Sequence, residues 1–256
     1  MQKPFLECND LCFAYHNLKG ETVALSHITF TVAPKEFIAI VGPSGCGKST
    51  LLSLISGLIK PEHGTITIRS PRHQIGYMLQ QDHLLEWRTI LQNILLGPEI
   101  NHMLTPEKQE LANKLLADYG LWEFRNKHPS ELSGGMKQRA ALIRTMIMEP
   151  ELVLLDEPFS ALDYQTRLVV SADIGNIIRA SGKTAIFVTH DLSEAISLSD
   201  RILVLSRRPA TIKADVPIHL NTGHDNPLSA RNAPEFKQYF TQLWKEIADE
   251  YDESEL

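Results

Sequence analysis

Gly42-Pro43-Ser44-Gly45-Cys46-Gly47-Lys48-Ser49-Thr50 sets glycines, one lysine and two hydroxyls at the spacing that gripping a polyphosphate requires. The glycines let backbone N–H groups turn toward phosphate oxygens with no Cβ in the way. Lys48 offers a mobile cation for the outer phosphates, and the Ser49 hydroxyl is a ligand for Mg²⁺. Cys46 sits inside the loop, where backbone does the binding, so a thiol there makes alkylation a route to interference. A second chemical group stands at Asp156-Glu157, closing the apolar run Leu152-Val153-Leu154-Leu155. Asp156 can hold Mg²⁺ directly or through water, and Glu157 can polarise an attacking water as general base. His190 ends the run Ala185-Ile186-Phe187-Val188-Thr189 and would stand at the same edge, in reach of a γ-phosphate. Leu132-Ser133-Gly134-Gly135 opens a helix with a capping serine and two glycines, which makes a second anion-receiving helix terminus. One phosphate tail scarcely needs two such termini from one chain, so the second points to a site shared with a partner.

These residues need elements to carry them. Phe37–Val41, Leu152–Leu155 and Ala185–Val188 read as buried strands of a parallel sheet. Ligands of such sheets gather where the strands end, which is where the loop, the acid pair and His190 all fall. A helix from about Gly47 to Leu58 follows the first strand and directs its positive end at the same anion. From Leu91 to Glu149 the pattern turns helical. Thr105-Pro106-Glu107 is a helix start, Leu111, Leu115 and Leu116 share a face, and a further helix runs from about Gly134 to Met148. Phe5–Tyr15 and Ala24–Val32 read as antiparallel strands. The expected fold is α/β: a P-loop NTPase core with an antiparallel β subdomain and an inserted α-helical subdomain.

The motifs together resemble an ATP-binding-cassette (ABC) ATPase over nearly the whole chain. GPSGCGKST resembles Walker A, LVLLDE Walker B and LSGGMKQR the ABC signature, although Met136 stands where many members carry Gln. Ser160-Ala161-Leu162-Asp163 matches the D-loop, His190 the switch histidine, Gln80 the Q-loop glutamine and Tyr15 the aromatic residue that stacks on adenine. The resemblance implies ATP and Mg²⁺ as ligands, with Gln80 joining Ser49 and Asp156 at the metal and joining Glu157 and His190 in catalysis. It implies two copies packed head to tail, each ATP lying between Walker A of one and Ser133, Gly134 and Gly135 of the other. It further implies transmembrane permease subunits, met near Gln80, and indirectly an extracytoplasmic solute-binding protein. Leu84-Leu85-Glu86-Trp87-Arg88-Thr89-Ile90 and Leu205–Ile212 are similar to segments of nitrate, sulfonate and taurine importers, with Glu86 for a usual Pro and Ala210 for a usual Gly. Trp87 is read as core packing from the residues alone, and as a permease contact from the resemblance.

The boundaries that follow are 1–90 for the first part of the core, 91–149 for the helical subdomain, 150–208 for the second part of the core and 209–256 for a C-terminal extension. Within that extension Pro234–Tyr251 has the spacing of an amphipathic helix expected to pack on its own core. Net charge is −6, with six acidic residues in Leu243–Leu256, read as a solvated tail. That balance, with no long basic run, disfavours nucleic acid. Cys8 and Cys12 lack a second cluster of ligand spacing, so a strand role is expected of them rather than a metal. There is no apolar run long enough to span a bilayer and no secretory leader at the start, so the expected place is the cytoplasmic face of the membrane. ABC proteins that act on DNA or ribosomes, the main alternative, carry paired cassettes or coiled-coil insertions, and neither is present; an exporter cassette is disfavoured by Leu84–Ile90. The transported solute is not encoded in this chain.

Overall fold

The computed structural model describes residues 3–18, 20–70, 74–221 and 227–248. Five residues of the acidic tail (Asp249, Glu250, Asp252, Glu253 and Glu255) lie outside this range, as does the end of the expected Pro234–Tyr251 helix. Strands β1 (Leu6–Asn17), β2 (Gly20–Val32), β3 (Phe37–Val41), β4 (His63–Ile68), β5 (Ile75–Met78), β6 (Leu152–Asp156), β7 (Thr184–Val188), β8 (Arg201–Leu205) and β9 (Ile212–Pro217) form two sheets. One is antiparallel with order β2-β1-β4, and the other runs β5-β6-β7-β3-β8-β9. In the larger sheet β5 to β8 are parallel and β9 pairs antiparallel to β8. The segment beyond Pro209, read as an extension, therefore supplies an edge strand to the core sheet.

The sequence of the central strands explains their place. All five residues of β3 (FIAIV), β6 (LVLLD) and β7 (TAIFV) are buried. In a pleated strand alternate side chains face opposite ways, so a continuous apolar run needs cover on both faces. One face, with Ile38, Ile40, Leu152, Leu154, Ile186 and Val188, packs under the β1–β2 sheet and helix α1 (Lys48–Ser56). The other, with Ala39, Val41, Val153, Leu155 and Phe187, packs against helices that follow β5 and β6. The first set is α2 (Ile90–Ile94), α3 (Leu96–Ile100), α4 (Pro106–Asp118) and α5 (Gly134–Met146). The later set is α6 (Tyr164–Ala180), α7 (Leu192–Leu198), α8 (Pro227–Ala230) and α9 (Phe236–Ala248).

Helix starts follow from the expected caps. Thr105 caps α4 by accepting from Lys108 N, with Pro106 at the first position, and Ala112 and Leu116 take the buried places on its face. On α9 Leu243 is fully buried while Phe236, Tyr239, Phe240 and Ile247 pack partly against the core. Trp244 stays outside that contact, half-exposed and stacked on Phe240 with ring centroids 6.4 Å apart. Cys8 is buried and Cys12 half-buried within β1, and among the described residues neither joins a cluster of metal-ligating groups.

Gly64 fastens β4 to β1 at a point no larger residue fits. Its φ is +86°, and a Cβ there would lie 2.3 Å from the Asp10 carbonyl oxygen and 2.4 Å from that of Asn9. Gly64→Ala is expected to lower the urea midpoint at unchanged slope, by roughly 1–3 kcal/mol of stability. A midpoint equal to wild type would show that the turn relaxes freely.

Candidate functional site

Four adjacent strands of the larger sheet, β5, β6, β7 and β3, end at one edge and deliver the candidate residues there. From β3 the chain enters the glycine loop and then α1. Gly47, the residue before α1, has φ +127°, and a Cβ on it would meet Leu25 Cδ2 at 2.9 Å. No side chain caps α1, so its first N–H groups remain for a ligand. Lys48 is 6 % exposed, and its ammonium donates to the carbonyls of Gly42 at 2.8 Å and Pro43 at 2.9 Å. Tyr15 on β1 is half-exposed, and its hydroxyl lies 3.0 Å from Thr50 Oγ1, so its ring stands beside the loop.

From β6 come the two carboxylates. Ser49 Oγ donates to Asp156 Oδ1 at 2.9 Å, and Tyr77 Oη on β5 donates to Asp156 Oδ2 at 3.3 Å. Burial pushes the Asp156 carboxyl above its ordinary range, opposed by those two hydrogen bonds and by nearby Lys48. Burial also lifts the Tyr77 phenol to about 12, which keeps it a neutral donor. Glu157 turns out of the strand with φ +43°, its N–H donating to Val188 O at 3.0 Å. Such a conformation is costly for a residue with a Cβ and concentrates at working sites. Glu157 Oε2 lies 3.2 Å from His190 Nδ1 and accepts from Gln80 Nε2 at 3.4 Å. Gln80 also reaches Ser160 Oγ at 3.5 Å.

The arrangement gathers Lys48, Ser49 and Asp156 in one group and Glu157, His190 and Gln80 in another, at the same sheet edge. Of the expected Mg²⁺ ligands the structure brings together the Ser49 hydroxyl and the buried Asp156 carboxylate, hard-oxygen donors that suit Mg²⁺. Gln80 turns its amide nitrogen to Glu157 and Ser160. Ser133 caps α5 by accepting from Met136 N at 3.4 Å. Ser133 and Gly134 are exposed, while Gly135 is buried against α6, where a Cβ would meet Thr166 Cγ2 at 2.9 Å. Among the described residues no hydrogen bond joins this turn to the phosphate loop. Trp87 is 75 % exposed, so core packing does not describe it.

Two neighbours of the loop are not picked out by the sequence. Tyr77 belongs to a run read only for its Gln80, and its hydroxyl is placed by the pairing of β5 with β6. Arg208, from the β8–β9 connection, donates through Nε to Gly45 O at 2.9 Å and also through Nη2. Cys46 is 2 % exposed and burial raises its thiol, so the expected sensitivity to alkylation meets a barrier. In the native protein iodoacetamide is expected to label Cys12 ahead of Cys46 and Cys8, read by peptide mass spectrometry; Cys46 labelled first would contradict this burial.

Against known proteins, the family profile described as ABC transporter matches residues 25–160. The uncharacterized ABC transporter ATP-binding protein YtlC of Bacillus subtilis is 45 % identical, covering 95 % of this chain and 95 % of its own. The nitrate import ATP-binding protein NrtD of Synechocystis is 36 % identical, covering 93 % of each. Among solved structures, the dimeric post-hydrolysis state of the ATP-binding cassette MJ0796 bound to ADP and Pi superposes with TM-score 0.73 at 28 % identity, covering 84 % of this chain and 99 % of that one.

Proposed function

From the premise that this chain belongs to the ABC transporter family, as an ATP-binding subunit that hydrolyses ATP, we propose that it powers import of a small anionic solute of the nitrate or sulfonate type. The ATP-hydrolysing part of this reading is carried by the meeting of Glu157, His190 and Gln80 at the sheet edge that also holds the Ser49–Asp156 pair and the Lys48 loop. The nitrate-import relative, aligned over nearly the full length of both chains, supports the direction and class of transport.

In the proposed mechanism the loop Gly42–Thr50 and Lys48 bind the triphosphate through backbone N–H groups and one ammonium. Tyr15 stacks on adenine. Ser49, Asp156 and Gln80 would hold Mg²⁺, which when bound would supply positive charge against that developing on the phosphates. Glu157 takes a proton from the attacking water, its side chain held at Oε2 by His190 and Gln80. A second copy completes the site with Ser133, Gly134 and Gly135, the phosphate lying between two helix N-termini. The dimeric MJ0796 cassette supports that pairing. Bound ATP favours the closed pair, hydrolysis removes that preference, and the difference is what moves the membrane partner.

The division into core segments 1–90 and 150–208, helical subdomain 91–149 and a C-terminal segment 209–256 whose β9 completes the core sheet belongs to the same proposal. So does a peripheral position on the cytoplasmic face, with permease subunits docked near Gln80 and the exposed Trp87 and a solute-binding protein beyond them. Among the described residues no helix is long and apolar enough to cross a membrane. The test is affinity purification of the tagged chain from detergent-solubilised membranes. Recovery of a polytopic permease whose reconstituted transport needs ATP and the binding protein is expected; recovery of ribosomes or DNA instead would overturn the importer reading.

A further inference from the structure

Behind the site, a line of polar groups runs from the Ser160–Asp163 turn to His190. The Leu162 carbonyl accepts from Arg167 Nη2 at 2.9 Å. Leu162 also borders the glycine turn of α5, since a Cβ on Gly134 would come 3.2 Å from Leu162 Cδ2. Arg167 Nε lies 4.0 Å from Glu194 Oε1 and is a buried donor with no hydrogen-bond partner. Glu194, on α7, is 4 % exposed, and its other oxygen accepts from the Thr189 hydroxyl at 2.6 Å. Thr189 Oγ1 accepts the Asp191 N–H at 3.0 Å, and Asp191 caps α7 through Ser193 N and Glu194 N. Thr189 and Asp191 flank His190, whose Nδ1 stands 3.2 Å from Glu157.

A buried carboxylate is costly unless paired, and an unpaired buried guanidinium N–H carries its own desolvation cost. Here both stand about one ångström short of a closed ion pair. The hydrogen bond ties Arg167 to the Leu162 turn, so a shift of that turn would alter the gap. We propose that Glu194 is a positioning residue for His190, coupling it through Arg167 to the Ser160–Asp163 turn and through Thr189 to the end of β7. The inference rests on the ATPase site proposed above and extends it. It accounts for how a nucleotide shared with a second copy at the Ser133–Gly135 turn, which Leu162 borders, is felt at the histidine beside the base.

The groups facing Glu194 are the Thr189 hydroxyl, Asp191, Arg167 from α6 and Arg231 beyond α8. Burial, with Asp191 adding to it, lifts the Glu194 carboxyl to about 7 against the opposing Thr189 bond and arginines. As pH falls through that value the carboxylate gains a proton and loses its attraction for Arg167, so turnover falls on the acid side.

The experiment is steady-state ATPase kinetics of the full chain across neutral pH for wild type, Glu194→Gln, Glu194→Ala and Arg167→Met, with melting curves alongside. Glu194→Ala and Arg167→Met are expected to lower kcat by ~5- to 20-fold with KM for ATP within about twofold, since the nucleotide loop is untouched. Glu194→Gln keeps an acceptor for Thr189, so it retains more turnover and loses the acid limb. Arg167→Met removes the partner whose attraction the proton abolishes, so its lowered turnover also loses that limb. Should Glu194→Ala fail to fold, the Gln and Met variants carry the test. Wild-type kcat in the Met variant, an acid limb persisting in Glu194→Gln, or losses that only track melting temperature would overturn the proposal. Failure of the underlying ATPase site would show otherwise, as full activity in Glu157→Gln whatever the Glu194 variants do.

Discussion

Glu157→Gln is expected to lower ATP turnover by ~10²- to 10⁴-fold while leaving ATP affinity within about threefold of wild type. The amide matches the carboxylate in size and can still lie against Gln80 and His190, which now sit 3.4 and 3.2 Å from Oε2. It cannot take the proton of an attacking water. The backbone that presents it is fixed by the bond to Val188 O and is indifferent to the exchange. Phosphate release would report kcat and titration calorimetry the affinity. Unchanged kcat would remove Glu157 from the chemistry, and lost affinity at lost kcat would make it a binding group.

Lys48→Ala is the second large effect, expected to weaken ATP binding by ~10- to 100-fold, in line with losing a charge-assisted hydrogen bond to phosphate. Its ammonium is nearly buried and held by the carbonyls of Gly42 and Pro43, within the loop that would wrap the phosphates. Calorimetry at fixed ionic strength measures the change, and a melting curve checks that the loop's own bonds to Lys48 are not what was lost. Wild-type affinity would contradict the phosphate-loop reading.

The parts legible in the sequence are those whose residue types leave one solution. Five consecutive buried positions in β3, β6 and β7 must lie inside a covered sheet, and a capping Ser133 or Thr105 marks a helix start. The Gly42–Thr50 loop, Asp156 and Glu157 are legible because strand-end chemistry after an apolar run has few other uses. What was not legible depends on partners distant in the chain. β9 alternates Ile212, Ala214 and Val216 with Lys213, Asp215 and Pro217, a half-buried strand pattern that leaves its partner unstated, and it joins the core sheet at the edge of β8. Tyr77 and Arg208 reach Asp156 and Gly45 through strand order and a connection between strands, neither of which has a local signal. Glu194 reads as an ordinary helix residue, and its burial comes from the packing of α6 and α8 over α7. Trp87 is the reverse case, an aromatic residue whose type suggests core and whose exposure does not.

The claim on which the rest depends is that each nucleotide is held by two copies of this chain. Purified Lys48→Ala and Ser133→Arg proteins, each expected to lose most turnover alone at an ATP concentration near the wild-type KM, can be mixed and assayed for ATP hydrolysis. A head-to-tail pair formed from one of each contains one site with both defects and one with neither. The mixture is therefore expected to recover roughly a quarter of wild-type turnover by random pairing. A mixture no more active than its separate components would mean that Lys48 and Ser133 do not serve one nucleotide across two copies.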